Sequence, residues 1–402
     1  MLKQLLTRFL EPRHFWRTAD FDELSELYLA QLLRSLGVGL VGLFIPVYLY
    51  KIGYSVQQIA FFFLCWFMFR LLFDYFSAHL VARFGPKHTM LAACFVHVLY
   101  LTFIITLKSQ QWPLLLVASV GSLAYSMHVL AIQVDFSKIK HVDHGGKELG
   151  FLTVMEKIGG VAGPLLGGLI ANYFDPRLAV ALSAVVLLLS AVPLFFSKEA
   201  VVTSQKLTFR KLPIRARYRD YVSIIPTTIE NTISLIVWPL FVAIFILKSD
   251  TYAKLGLIVA VSTLSSILLT KAIGGLIDRK KGLKLLRYGV TINALIHLVR
   301  PLVTSLSGVL AINIANEPVT AAYRMPYLKG LYDTSDSLPG MRIVYLTSCV
   351  MVDSATRLVF WLIVWALLGT FPVHFLFVAL FYVAALASMG ILSEHFEVLH
   401  DD

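Results

Sequence analysis

The chain has 402 residues, of which 58% are hydrophobic and 15% charged, and its formal net charge is +11. Soluble globular chains carry roughly 25% charged residues, so this composition, with mean hydropathy +0.76, argues against water as the main solvent. It also gives the positive charge a reading other than nucleic-acid binding, because the charge follows membrane topology.

Apolar runs of about 20 residues match the ~30 Å hydrocarbon thickness at 1.5 Å per helical residue. They are continuous rather than alternating, which favours helices over barrel strands. Twelve spans are predicted: 24–50, 55–81, 89–108, 112–137, 149–174, 177–197, 221–247, 252–277, 284–306, 308–331, 342–369 and 372–394. Ahead of them, residues 1–23 read as an interfacial segment, with Leu2, Leu5, Leu6 and Phe9 on one helical face opposite Lys3 and Arg8. Acidic residues follow (Asp20, Asp22, Glu23, Glu26), and no small-residue site marks a cleavable signal peptide.

The connections are short except for residues 198–220. That linker carries Lys198, Lys206, Arg210, Lys211, Arg215, Arg217 and Arg219, and reads as a solvated connector on anionic headgroups. It separates a six-span bundle, 24–197, from a second, 221–395, which a tail, 396–402, follows. Lys3, Arg8, Arg13, Arg17, Arg83, Lys87, Lys138, Lys140 and Lys147 share one side with the linker, with Arg279, Lys280, Lys281, Lys284 and Arg287, and with Arg324, Lys329 and Arg342. Only Lys51, Lys108, Arg177, Lys248 and Lys254 fall opposite. The positive-inside rule makes the first side cytoplasmic, with both termini there. Such a chain is expected to be a multi-pass integral protein of the cytoplasmic (inner) membrane.

Several attractive motifs lack their structural context. "GVGLVG" at 37–42 matches a dinucleotide fingerprint but lies mid-span, with no strand before it, and reads as close packing or bending of the first helix. "HVDH" at 141–144 lies in a short loop without a partner cluster. Cys65, Cys94 and Cys349 fall within spans, with neither disulfide nor metal-ligand spacing. No cofactor or metal site is expected, and no nucleic-acid partner.

The fifth span opens "GFLTVMEKIGGVAGPLLGG". Gly159, Gly163 and Gly167 recur every four residues, as do Gly160, Pro164 and Gly168. Each set makes a ridge almost without side chains, a surface that lets a neighbouring helix approach in lipid. The eighth helix is the expected neighbour. Counting from Gly150, the spacing G-x8-G-x3-G-P-x2-G-G resembles the fifth-helix antiporter motif of the major facilitator superfamily. A second family motif, G-x3-D-[RK]-x-G-x-[RK]-[RK], has an echo between the eighth and ninth spans in Gly274, Asp278, Arg279, Lys280, Lys281, Gly282 and Lys284. The copy between the second and third spans keeps Arg83, Gly85 and Lys87 but has Ala78 for Gly and Ala82 for Asp. In the family that Asp helps lock the halves on the cytoplasmic side, and here Ala82 stands in its place. The fourth span lacks the family's drug-antiporter arginine motif and offers His128. "FIPVYLY", 44–50, looks like the family's first-helix end.

The resemblance implies an all-α fold of two six-helix bundles, with helices 1, 4, 7 and 10 lining a central cavity, and alternating access by rocking of the halves. It implies a secondary active transporter of a small organic solute, a proton-coupled exporter, with a uniporter or importer as the nearest variant. A non-pumping sensor or lipid-handling protein on the same scaffold is the other class. The family's usual state is a monomer in the bilayer.

Charges near the bilayer centre cost at least ~2.5–3.5 kcal/mol on insertion scales, so those on the cavity helices are functional candidates. They are Arg34, His128, Asp135, Glu230, Glu317 and Arg324. Glu230 lies nine residues past Tyr221, or ~14 Å of rise, and Glu317 nine past Gly308 from the opposite surface. Glu230, Glu317 and Asp135 are the proton-coupling candidates, against structural pairing with Arg34 or Arg324. Tyr125, Asn231, Trp238, Asn313, Asn316 and Tyr323 are candidate cavity lining. Arg70 and Asp74 on the second span, and Asp353 and Arg357 on the eleventh, are each four apart and can pair within their own helix. Taking Val81 and Arg342 as span ends, Arg70 and Asp353 both lie about 16 Å deep. With family architecture placing those helices side by side, a contact across the halves is predicted, restorable by exchanging the two charges.

Overall fold

The structure is a computed structural model that describes residues 21–41, 45–141, 143–173, 176–199, 201–212, 214, 217–247, 251–396 and 399. The expected N-terminal surface helix, Gly42, Phe44, Arg215, Lys248 and most of the tail lie outside them. Among the described residues there are helices and turns and no strand.

The first span forms α1 (Phe21–Val41) and α2 (Ile45–Lys51), and the rest of the N-terminal half forms α3 (Val56–Phe84), α4 (Pro86–Gln110), α5 (Leu114–Ile139), α6 (Gly145–Tyr173) and α7 (Pro176–Leu189). Beyond the linker, α8 (Tyr218–Thr232) continues through π-helical turns, Ile233–Val237 and Val242–Ile246, on either side of α9 (Trp238–Phe241). Pro239 lacks the N–H that an unbroken α-helix needs there. Then come α10 (Thr251–Leu276), α11 (Gly282–Val299), α12 (Leu306–Asp336), α13 (Arg342–Leu367) and α14 (Val373–Gly390).

Among the described residues, ten segments are long and apolar enough to cross a membrane. One of them, Gly256–Leu302, holds both the eighth and ninth expected spans. Within it Arg279 and Lys280 leave helical geometry, Lys280 with φ +60°, and so break the run between α10 and α11. The tenth expected span folds as α12 but is not among the ten, because Asn313, Asn316, Glu317 and Pro318 interrupt its apolar run. Large apolar side chains point outward all round, among them Leu72 at 63% and Leu386 at 76% exposure. Such a surface is costly in water and suited to lipid.

Two apolar clusters join the halves. One, at the end bearing the basic connections, draws on Val81, Val134, Leu149, Ile277, Tyr323 and Tyr345. The other, at the opposite end, draws on Val47, Phe62, Tyr100, Trp238, Trp361 and Phe377. Phe63 and Trp361 stack there with centroids 5.0 Å apart.

The glycine ridge of α6 faces α1, not the expected eighth helix. A Cβ on Gly163 would lie 2.6 Å from the Leu36 carbonyl oxygen and 2.7 Å from Gly39 Cα, and one on Gly167 would lie 2.1 Å from the Leu40 carbonyl. Gly39, from the "GVGLVG" stretch, is the other side of that seam. Gly160 has open space around it, so the second ridge is not a uniform contact surface. The eighth span (α10) meets α6 nearer the basic end, where a Cβ on Gly274 would lie 2.7 Å from the Gly146 carbonyl. The partner differs from expectation because four-residue spacing defines a face and does not say which helix covers it. The linker is anchored as well as basic: Gln205 N–H donates to the Ala82 carbonyl at 3.0 Å and Ser204 N–H to that of Arg83 at 3.3 Å.

Candidate functional site

Helices α3 and α13 run side by side across the boundary between the halves, and their charges form one network. Arg70 Nη1 lies 2.9 Å from Asp353 Oδ2. Both intrahelical pairs are present too, Arg70–Asp74 at 3.8 Å and Arg357–Asp353 at 3.1 Å. Thr228 donates to Asp353 at 2.8 Å, Arg357 donates to Thr232 and to Asn231 Oδ1, each at 2.9 Å, and Ser354 donates to Asp74. The Arg70 guanidinium sits 4.8 Å from the Tyr125 ring centre, and that of Arg357 5.5 Å from Phe67. Arg70 and Asp74 are buried, so each depends on this pairing to offset desolvation. Asp353 is shared by both arginines, so exchanging residues 70 and 353 would set like charges beside Asp74 and Arg357.

A second junction joins α6 to α12. Lys157 pairs with Glu317 and donates to Ser266 Oγ of α10 at 2.9 Å. Its side chains are part-open, Lys157 at 20% and Glu317 at 32%. Lys157 lies inside the quoted glycine stretch, where an intramembrane lysine is itself a signal.

At the basic end Asp278 accepts from the Gly146 N–H at 2.8 Å and the Lys147 N–H at 3.1 Å. A carboxylate of one half thus meets the positive end of a helix of the other. Beside it Lys140 bridges Asp333 at 2.6 Å and Asp336 at 2.7 Å. Arg342 pairs with Asp336 and donates to Ser137 at 3.0 Å. At the degraded motif copy the Ala82 and Arg83 carbonyls bind the linker instead. Arg83 and Arg279 are exposed. Lys87 is buried, donating to Ser197 Oγ at 2.6 Å and the Lys198 carbonyl at 2.8 Å. The buried Asp135 belongs to this region, in the electrostatic surroundings of Lys87, Glu199 and Glu26, far along α5 from the level of Glu317.

Five further candidates turn into the bundles rather than toward a space between them. Glu230 accepts from Tyr323 at 2.6 Å, Ser234 at 2.8 Å, Asn293 at 3.1 Å and His297 Nε2 at 3.1 Å. Its neighbours come from α11, α12 and the next turn of its own helix, and its side chain is 2% exposed. Arg300 Nη1 donates to His297 Nδ1 at 3.2 Å, which leaves Nε2 of that ring to carry the hydrogen given to Glu230. Buried Trp238 donates to Asn313 Oδ1 at 2.9 Å. Arg34 and His128 line a small cavity inside the N-terminal half. Tyr323 therefore serves the Glu230 cluster, whereas Tyr125, Asn231, Asn313 and Asn316 keep some exposure and Arg324 is exposed. His97, His297 and Arg300 were not expected from sequence. The polar spacing Asn293, His297, Arg300 along one face of an apolar helix is the signal for two of them.

Residues 27–322 match the sequence profile of the Major Facilitator Superfamily. No curated protein matches the chain. Among solved structures, it resembles the human organic anion transporter MFSD10 (TETRAN) at TM-score 0.68 and 12% identity, over 93% of this chain and 100% of that one. A bacterial homologue of the iron transporter ferroportin, in an outward-facing state with soaked iron, gives TM-score 0.63 and 16% identity, over 94% and 99%. The major facilitator superfamily transporter FucP, in the outward conformation, gives 0.66 and 12%, over 94% and 97%. At these identities the likeness concerns the fold, and the profile match carries the family. The chain belongs to the Major Facilitator Superfamily, as a multi-pass membrane transporter and not an enzyme.

Proposed function

We propose that the chain is a secondary active transporter that exports a small organic solute by alternating access, driven by protons. The Lys157–Glu317 pair is its coupling site. The supporting observation is that this pair bridges α6 and α12 across the two halves while staying part-open. A carboxylate can hold a lysine across such a boundary only when ionised. Protonation of Glu317 removes that attraction and biases the halves toward separation, as coupling requires. Glu230 suits the role less, since it is enclosed within one bundle by four hydrogen-bond donors. The half-exposed aromatic and amide groups, Tyr125, Asn231, Asn313 and Asn316, suit an organic solute. The basic end is cytoplasmic in this reading, and the working unit is a monomer.

The test is proton movement in proteoliposomes loaded with a pH-sensitive dye, challenged in turn with organic anions, sugars and amines. At least one class should drive proton flux through the wild-type protein and none through Glu317→Gln. Equal flux through the variant would refute the assignment of Glu317.

A further inference from the structure

Helix α1 turns Leu27, Ala30, Gln31 and Arg34 onto one face, at i, i+3, i+4 and i+7, toward the small cavity in the N-terminal half. Cys94, His128 and Ser190 supply the other polar lining. The walls therefore come from the first, third, fourth and sixth spans, inside a bundle and away from the boundary between halves.

Arg34 is 6% exposed, and a guanidinium stays charged. It donates from Nη2 to His97 Nδ1 at 3.4 Å, while Nη1 has no hydrogen-bond partner. None of the described carboxylates forms a salt bridge with it; Glu156 of α6 acts on it only from beyond salt-bridge distance. With Nδ1 accepting, the His97 hydrogen is on Nε2, which is also unpartnered, as are His128 Nδ1 and Gln31 Oε1. Buried polar atoms are nearly always bonded, and a buried charge without a counter-charge is the costliest case.

The C-terminal half contains a cluster of the same residue types, differently placed, that has its own carboxylate. There the chain Arg300, His297, Glu230 repeats the order arginine, histidine, and ends on a carboxylate. Ser388 on the last span stands beside that cluster as Ser190 stands beside the cavity. The N-terminal cluster has the donors and, among the described residues, no carboxylate in contact with them. A water molecule would satisfy hydrogen bonds there but would leave the charge uncompensated.

We propose that this cavity binds a monovalent inorganic anion of halide size, held by Arg34 with His128 and the Gln31 amide, whose nitrogen and oxygen exchange places by a flip. The site is separate from the proposed coupling pair, and it is tested without transport. The purified full chain is melted in sodium chloride, bromide, sulfate or gluconate at equal ionic strength. Chloride and bromide should raise the melting temperature saturably over gluconate, sulfate should not, and Arg34→Met should remove the halide response. No halide-specific rise in the wild-type protein would overturn the proposal, as would a response retained in Arg34→Met. If that variant does not fold, Gln31→Leu and His128→Leu decide. Each should weaken half-saturation about fivefold, the loss of one hydrogen bond, and unchanged values in both would equally overturn it.

Discussion

In the N-terminal half a buried guanidinium, Arg34, reaches His97 at 3.4 Å and forms no salt bridge to a described carboxylate, while in the C-terminal half Arg300 reaches His297 at 3.2 Å and the chain ends on Glu230. The two bundles thus share a plan for a polar core and differ in whether the charge is balanced from within. A balanced cluster holds its own helices together, whereas an unbalanced one depends on something outside the polypeptide. The charges that join the bundles form a third class: Lys157 and Glu317 pair across the boundary, and so do Arg70 and Asp353, which also keep partners, Asp74 and Arg357, on their own helices.

Removing the carboxylate from the balanced side should have the largest effect. Glu230→Gln leaves Arg300 buried without a counter-charge, a loss of about 3–5 kcal/mol, read as a large fall in melting temperature in detergent. Arg34→Met, in halide-free buffer, should be close to neutral. Equal losses in both variants would erase the distinction between the bundles.

At the boundary, Arg70→Asp combined with Asp353→Arg should be no more active than either single variant, because the network is shared with Asp74 and Arg357. Full recovery of transport by the double variant would mean that Arg70 and Asp353 act as an isolated pair.

The glycine seam comes next. Gly163→Leu forces α1 and α6 apart, an overpacking cost of about 1–3 kcal/mol, with transport impaired more than membrane insertion. Gly160→Leu, which points into open space, should behave as wild type. Equal behaviour of the two in a transport assay would show that the seam is not tight.

The smallest expected effect is that of Asp278→Ala. It removes a carboxylate bonded to two N–H groups at the start of α6, comparable to losing a helix cap, about 0.5–2 kcal/mol. Cross-linking between the basic ends of α6 and α10 should report fewer closed molecules, and an unchanged yield would mean the cap does not hold the halves.

Much of this was legible in the sequence, for reasons that differ by residue. Span lengths and basic loops locate helices because hydrocarbon thickness fixes length. The Gly159, Gly163, Gly167 spacing identifies a tight face, but helix spacing carries no information about the partner, and α1 replaced the expected eighth helix. Depth along an axis placed Arg70 level with Asp353, since rise per residue is constant. Rotation about the axis is harder: Glu230 points into its own bundle. Lys157 is hard to read from sequence because the glycines around it dominate that stretch. The apolarity of α12 falls short where Asn313, Asn316 and Glu317 lie, so the tenth span is weakest where its polar residues are densest.

The most direct measurement of the central claim compares two transport modes of Glu317→Gln in proteoliposomes, using whichever solute drives proton flux in the wild-type protein. Solute accumulation against an imposed pH gradient should disappear, while exchange of labelled for unlabelled solute across the same membrane should persist, because the halves still rock once the proton-sensitive tie is neutral. Accumulation at the wild-type level in Glu317→Gln would contradict the account.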